Sequence, residues 1–130
     1  MPHVIILCGS EKDFPFAEKI KAPLEEKGVS VKLFASSAHK NGEKVLEIVR
    51  EFDDGKNVFV TIAGRSNALS GFVAGHTNSV VIACPPHKDK MDFFININST
   101  LQMPSKTPVL TILDPGNCVL AVERILNSQK

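Results

Sequence analysis

Three short stretches hold side chains of the kinds that bind ligands or move protons. They are Gly9-Ser10-Glu11-Lys12-Asp13, Ser36-Ser37-Ala38-His39-Lys40 and Ala63-Gly64-Arg65-Ser66-Asn67. In the second, two hydroxyls and an ammonium suit a phosphate, and an imidazole that titrates near neutral pH can carry a proton. In the first, a small residue, a hydroxyl and an acid precede a segment with Pro15 in its opening turn. Asp13 capping that helix is one reading of them; a loop and helix N-terminus meeting a polar ligand is another. In the third, Gly64 lets backbone amides approach a ligand, while Ser66 or Asn67 can cap a following helix.

Several chemistries are excluded by spacing. There is no G-x-G-x-x-G turn and no Walker lysine, so dinucleotide and P-loop readings fail. No acidic pair follows the first apolar run and no aspartate ends the third, which disfavours a phospho-acceptor regulator. His3, His76 and His87 have no metal-motif spacing, so no metal is expected. The net charge of +1 gives no argument for nucleic acid or an acidic membrane surface. No apolar run approaches the roughly 20 residues of a membrane span. The start, Met1-Pro2-His3, has no basic region ahead of its strand-length apolar run and does not read as a signal peptide. Cys8, Cys84 and Cys118 are odd in number, far apart and in apolar contexts, as expected of buried, reduced thiols in a cytoplasmic protein.

The elements that must position these residues follow from periodicity. Near-continuous β-branched runs at residues 3–8, 29–34, 58–62, 80–84 and 109–113 predict strands covered on both faces. Helical spacing joins Phe16, Ala17, Ile20 and Leu24 before Gly28, then Val45, Ile48, Val49 and Phe52, then Val119, Val122, Ile125 and Leu126. Pro23 is expected to bend or interrupt the first helix. Residues 85–105 read as a long loop, or a loop holding one short helix. The alternation predicts one α/β domain over residues 1–130, a parallel sheet between helical layers, with ligands at the carboxyl ends of the strands. The three polar stretches fall at those ends.

Quoted in order, "CGSEKD", "SSAHK", "AGRSNALSGFVAG" followed by "IACPP", and "LQMPS" resemble the motifs of the PurE family, the aminoimidazole ribonucleotide carboxylases and mutases of purine synthesis. The resemblance runs from about residue 4 to residue 126, and the third segment is similar to the class II branch, which uses carbon dioxide directly. It implies a flavodoxin-like three-layer α/β/α sandwich, a homo-oligomer (octamer or tetramer) and no cofactor. The implied reaction interconverts 5-aminoimidazole ribonucleotide plus carbon dioxide with 4-carboxy-5-aminoimidazole ribonucleotide. Carried over by motif, Gly9, Ser10, Lys12 and Asp13 bind the ribonucleotide, with Asp13 on ribose hydroxyls. Ser37, Ala38 and Lys40 hold the phosphate, and His39 is the catalytic proton carrier. Ala63, Gly64, Arg65, Ser66 and Asn67 wall the pocket for base and carbon dioxide, and Met103 and Pro104 close the site from a neighbouring subunit.

Three positions depart from the family pattern: Lys12 stands for a serine, Asn96 for a common acid and Lys106 for a common glycine. They keep a non-catalytic nucleotide-binding paralogue open beside the carboxylase. The class I mutase reaction and a related carboxylase acting on a different nucleotide stay open as well. The class I loop carries a histidine absent here.

Overall fold

A computed structural model describes residues 2–130; Met1, with which the reading of the N-terminus begins, lies outside the described residues. Five strands, β1 (His3–Cys8), β2 (Ser30–Ala35), β3 (Val58–Ile62), β4 (Val80–Ala83) and β5 (Leu110–Thr111), form one parallel sheet in the order β2-β1-β3-β4-β5. The register runs from His3↔Ser30 to Cys8↔Ala35 on one side of β1 and from Val4↔Val58 to Cys8↔Ile62 on the other. This is the flavodoxin-like order, in which the chain reverses its direction of travel across the sheet beside β1.

Side-chain alternation along the strands builds the two cores. Val4, Ile6 and Cys8 join Val58, Val60 and Ile62 on one face, under Ala17, Ile20 and Leu24 of α1 (Phe14–Glu26) and Cys118, Val119 and Val122 of α5 (Pro115–Ser128). Ile5, Leu7 and Phe59 point the other way. They meet Val45, Ile48 and Val49 of α2 (Gly42–Phe52) and Leu69 and Val73 of α3 (Ala68–Ala74). Both faces are thus covered, which is why the strands read as unbroken apolar runs.

Four expectations need correction. α1 continues through Pro23, which removes one hydrogen-bond donor but does not end the helix, because Ile20 and Leu24 on either side of it are anchored in the core. Of the two readings of residues 85–105 the second holds, a helix within the loop, but α4 (Lys90–Leu101) runs to 12 residues and takes up most of the segment. β5 shrinks to two residues between Pro108 and Asp114-Pro115, although Ile112 N still donates to Ala83 O at 3.0 Å. β2 begins one residue later than read, and β4 stops before Cys84. Lys106 has φ of 64°, a left-handed conformation that glycine adopts more readily than lysine.

Ile6, fully buried at the centre of the sheet, tests the core. Ile6→Ala is expected to cost about 2–5 kcal/mol in urea unfolding. Phe94→Ala, at a 63 % exposed position, is expected to change stability by less than about 0.5 kcal/mol.

Candidate functional site

The carboxyl ends of β1, β2 and β3 enclose a cleft of about 330 Å³, lined by Gly9, Ser10, Asp13, Ser37, Ala38, His39, Lys40, Ala63, Gly64, Arg65, Ser66 and Leu69. It opens at the point where the strand order reverses, between β1 and β3. Three loops far apart in sequence converge there because parallel pairing brings the strand ends into line. Gly9 N donates to Ile62 O at 3.0 Å and Ser36 N to Cys8 O at 2.9 Å, so the ladders fix where each loop leaves the sheet.

The first loop divides its tasks differently from the capping reading. Ser10, not Asp13, is the cap: its Oγ accepts from Lys12 N at 3.1 Å and starts a single 3-10 turn over Glu11–Asp13. Asp13 precedes α1 and makes no side-chain capping bond. Its carboxylate is left facing the cleft, where burial pushes its pKa above the usual carboxylate value. Burial first, and the charge of Asp13 second, push the Cys8 thiol up to about 12. Cys84 is also pushed up, by its hydrogen bond with Cys118 and then by burial. All three cysteines are free and buried, and these two stay protonated thiols at neutral pH.

In the second loop, Ser37 Oγ accepts from Lys40 N at 3.1 Å and Ser37 O accepts from Asn41 N at 2.8 Å, a tight turn that exposes His39 and Lys40. Asn41 Oδ1 then caps α2 through Lys44 N. His39 Nε2 lies 3.4 Å from Ser66 O, across the cleft. A carbonyl can only accept, so this contact requires the proton on Nε2 and leaves Nδ1 as the basic nitrogen of the neutral ring.

The third loop is the far wall. No protein acceptor takes the amides of Gly64, Arg65 or Ser66 among the described residues. Asn67 does not line the cleft as expected. It is buried, and its side chain is spent inside the fold: Oδ1 accepts from Ser70 N at 3.1 Å and Ser70 Oγ at 3.0 Å, and Nδ2 donates to Thr100 Oγ1 at 3.0 Å. Asn67 N donates to Ser99 Oγ at 2.6 Å, and Ser70 Oγ also meets Thr61 Oγ1 at 2.7 Å. Asn67 therefore caps α3 and ties the wall to β3 and α4. Leu69 contributes the apolar patch that sequence reasoning missed; its helical position after the Asn67 cap was the available signal.

Lys12, Met103 and Pro104 are not brought into the cleft of this chain. The Lys12 residue is exposed on the 3-10 turn. Met103 and Pro104 line a separate hollow with Leu101, Lys106 and Val109, beside β5. A hollow of about 500 Å³ at the opposite end of the sheet lies among Lys27, Gly28, Lys56, Glu123 and Leu126, and its one acidic side chain among the described residues, Glu123, is paired with Lys27 at 2.9 Å. Among the described residues no group of three or more His, Cys, Asp or Glu is placed to hold a metal ion, and no helix is long and apolar enough to cross a membrane.

A parallel α/β sandwich with hydroxyls, a lysine, a histidine, an acid and free backbone amides at its switch point defines a small-molecule site of the flavodoxin-like class. A family model described as AIR carboxylase matches residues 3–130, and the chain belongs to that family. It is 44 % identical over 121 residues to the phosphoribosylaminoimidazole carboxylase of Archaeoglobus fulgidus, covering 93 % of this chain and 67 % of the relative. It is 39 % identical over 123 residues to the N5-carboxyaminoimidazole ribonucleotide mutase of Methanocaldococcus jannaschii, covering 92 % of this chain and 76 % of that one. The crystal structure of Treponema denticola PurE superposes with a TM-score of 0.91 at 41 % identity, over 100 % of this chain and 83 % of the other.

The raised pKa of Asp13 gives a signed expectation. Its protonated form favours the folded state below the ordinary carboxylate pKa, and that contribution is lost as pH rises through the higher folded value. Asp13→Asn should therefore melt at a higher temperature than the wild type at pH 7. The difference should shrink as pH falls into the carboxylate range, followed by calorimetry across pH.

Proposed function

We propose that this protein is a phosphoribosylaminoimidazole carboxylase. It would interconvert 5-aminoimidazole ribonucleotide plus carbon dioxide with 4-carboxy-5-aminoimidazole ribonucleotide in purine (IMP) synthesis. The observation that carries the reading is the convergence of His39, Asp13, Lys40 and the free amides of residues 64–66 on one cleft. The family match and the printed name of the Archaeoglobus relative support it.

The chemistry needs no covalent enzyme intermediate. The electron-rich ring attacks carbon dioxide through C4, forming the C4–carbon bond as one C=O pair moves onto oxygen. Loss of the C4 proton to His39 returns the C–H electrons to the ring and restores aromaticity. Ser37 and Lys40 hold the phosphate, and Ser10 and Asp13 hold the ribose side. The amides of Gly64, Arg65 and Ser66 stabilise the developing carboxylate, donors already oriented before charge appears. Lys12 adds charge near the ribonucleotide without entering the cleft.

The reading carries with it a cytoplasmic location, with which three buried free thiols accord. It also carries assembly into a homo-oligomer, in which Met103 and Pro104 close the cleft of a neighbouring copy. Their position beside β5, away from their own chain's cleft, fits that arrangement. The Methanocaldococcus relative favours a second reading, the mutase reaction on N5-carboxyaminoimidazole ribonucleotide.

Purified protein is mixed with 5-aminoimidazole ribonucleotide and bicarbonate, and the carboxylated product is followed spectrophotometrically. Turnover without an ATP-dependent bicarbonate-activating enzyme is expected. Strict dependence on that enzyme would move the protein to the mutase reaction, and calorimetric binding without turnover would leave a nucleotide-binding paralogue. His39→Asn should lower kcat by at least about a hundredfold with the fold intact; an undiminished rate removes His39 from the mechanism.

A further inference from the structure

One face of α4 carries polar residues at helical spacing, Asp92, Asn96, Ser99 and Thr100, and each contacts the loop that walls the cleft or the chain beside it. Asp92 is the most connected. Its Oδ1 accepts from Arg65 Nη2 at 2.9 Å, and its Oδ2 accepts from Lys88 N at 3.0 Å and, more weakly, from Asn96 Nδ2 at 3.4 Å. Its own amide donates to the cap residue Asp89 at 2.8 Å. Asn96 donates to Pro86 O, stacks against Gly64 from behind and leaves a buried Oδ1 with no partner. Two acceptors, Pro86 O and Asp92 Oδ2, fix which way its amide points.

We propose that Asp92 is a positioning residue for the carboxylation cleft, fixing Arg65 and with it the wall of residues 64–66 against which the reacting ring is held. This rests on the carboxylase reading for its kinetic part only. The Arg65 side chain is 55 % exposed and Asp92 17 %, so the carboxylate, set in a helix and bonded on both oxygens, is the fixed partner. A pair so open to water adds little to stability. What it fixes is geometry: the wall amides have no acceptors of their own, so Asp92 holds the wall at Arg65 while Ser99 holds it at Asn67. Both anchors belong to one helix.

The test compares Asp92→Asn, Arg65→Ala, the double variant and Asp89→Ala. The last weakens the start of α4 without touching Arg65. Asp92→Asn is expected to lower kcat/KM about ten- to hundredfold, and the double variant should be no worse than Arg65→Ala, because Asp92 acts through Arg65. Asp89→Ala should lower the melting temperature while leaving kcat/KM within about twofold of the wild type. Hydrogen exchange at the amides of Asn67, Ala68 and Ser70 should quicken in Asp92→Asn and not in Asp89→Ala. Additive kinetic effects, an equal kinetic loss in Asp89→Ala, or unchanged exchange in Asp92→Asn would overturn the proposal. A wild type that lacks turnover would defeat the carboxylase reading, and the exchange comparison alone would then decide the role of Asp92.

Discussion

A parallel sheet covered by helices on both faces leaves one row of strand ends where polar loops can gather around a ligand. Here that row is organised by β1, which lies between β2 and β3 and sends its chain one way while the rest of the sheet grows the other. The loops after β1, β2 and β3 have no choice but to face one another. Everything chemical in the molecule, from the Asp13 carboxylate to the His39 ring to the amides of residues 64–66, depends on that convergence.

The wall of the cleft is held from behind rather than from within. Thr61, Ser70, Asn67, Thr100 and Ser99 form a buried hydrogen-bonded chain that joins β3, α3 and α4. Each such bond contributes about 1 kcal/mol net, but a buried polar group left without one costs about 1–3 kcal/mol. Breaking one link therefore harms more than it removes. Among the described residues, the Asn96 oxygen is the buried side-chain atom left without a partner, and it bears that cost.

Most of the sheet was legible because β-branched runs at strand length have few other uses, and the cleft residues were legible because they follow those runs. Asp13, His39 and Lys40 could be placed before any contact was known. α4 was left open between a loop and a short helix, and the reason is physical. Its buried residues are Asn96 and Thr100, whereas Met91, Phe94 and Leu101 are exposed, so the usual apolar stripe is turned outward and the inward face is polar. A periodicity search for a buried apolar face reads such a segment as loop. Asn67 was read both as a cap and as a wall residue, and it is the cap: a polar residue beside a glycine-rich turn looks like a ligand contact, but here its side-chain hydrogen bonds are all internal. Met103 and Pro104 entered only through family resemblance, since their own chain keeps them beside β5.

Because Ser10 does the capping, Asp13 keeps a carboxylate that neither a helix nor a cation satisfies. Partial burial makes that group draw a proton more strongly than a free aspartate does. A sugar hydroxyl can donate only to a lone pair, and it is held best when the carboxylate is ionised. Proton and sugar thus compete for the same oxygens, and linkage makes the competition reciprocal. On the proposed role of Asp13, ribonucleotide binding in mildly acidic solution would expel a fraction of a proton into the buffer, so the apparent heat of binding would change with the ionisation enthalpy of the buffer chosen.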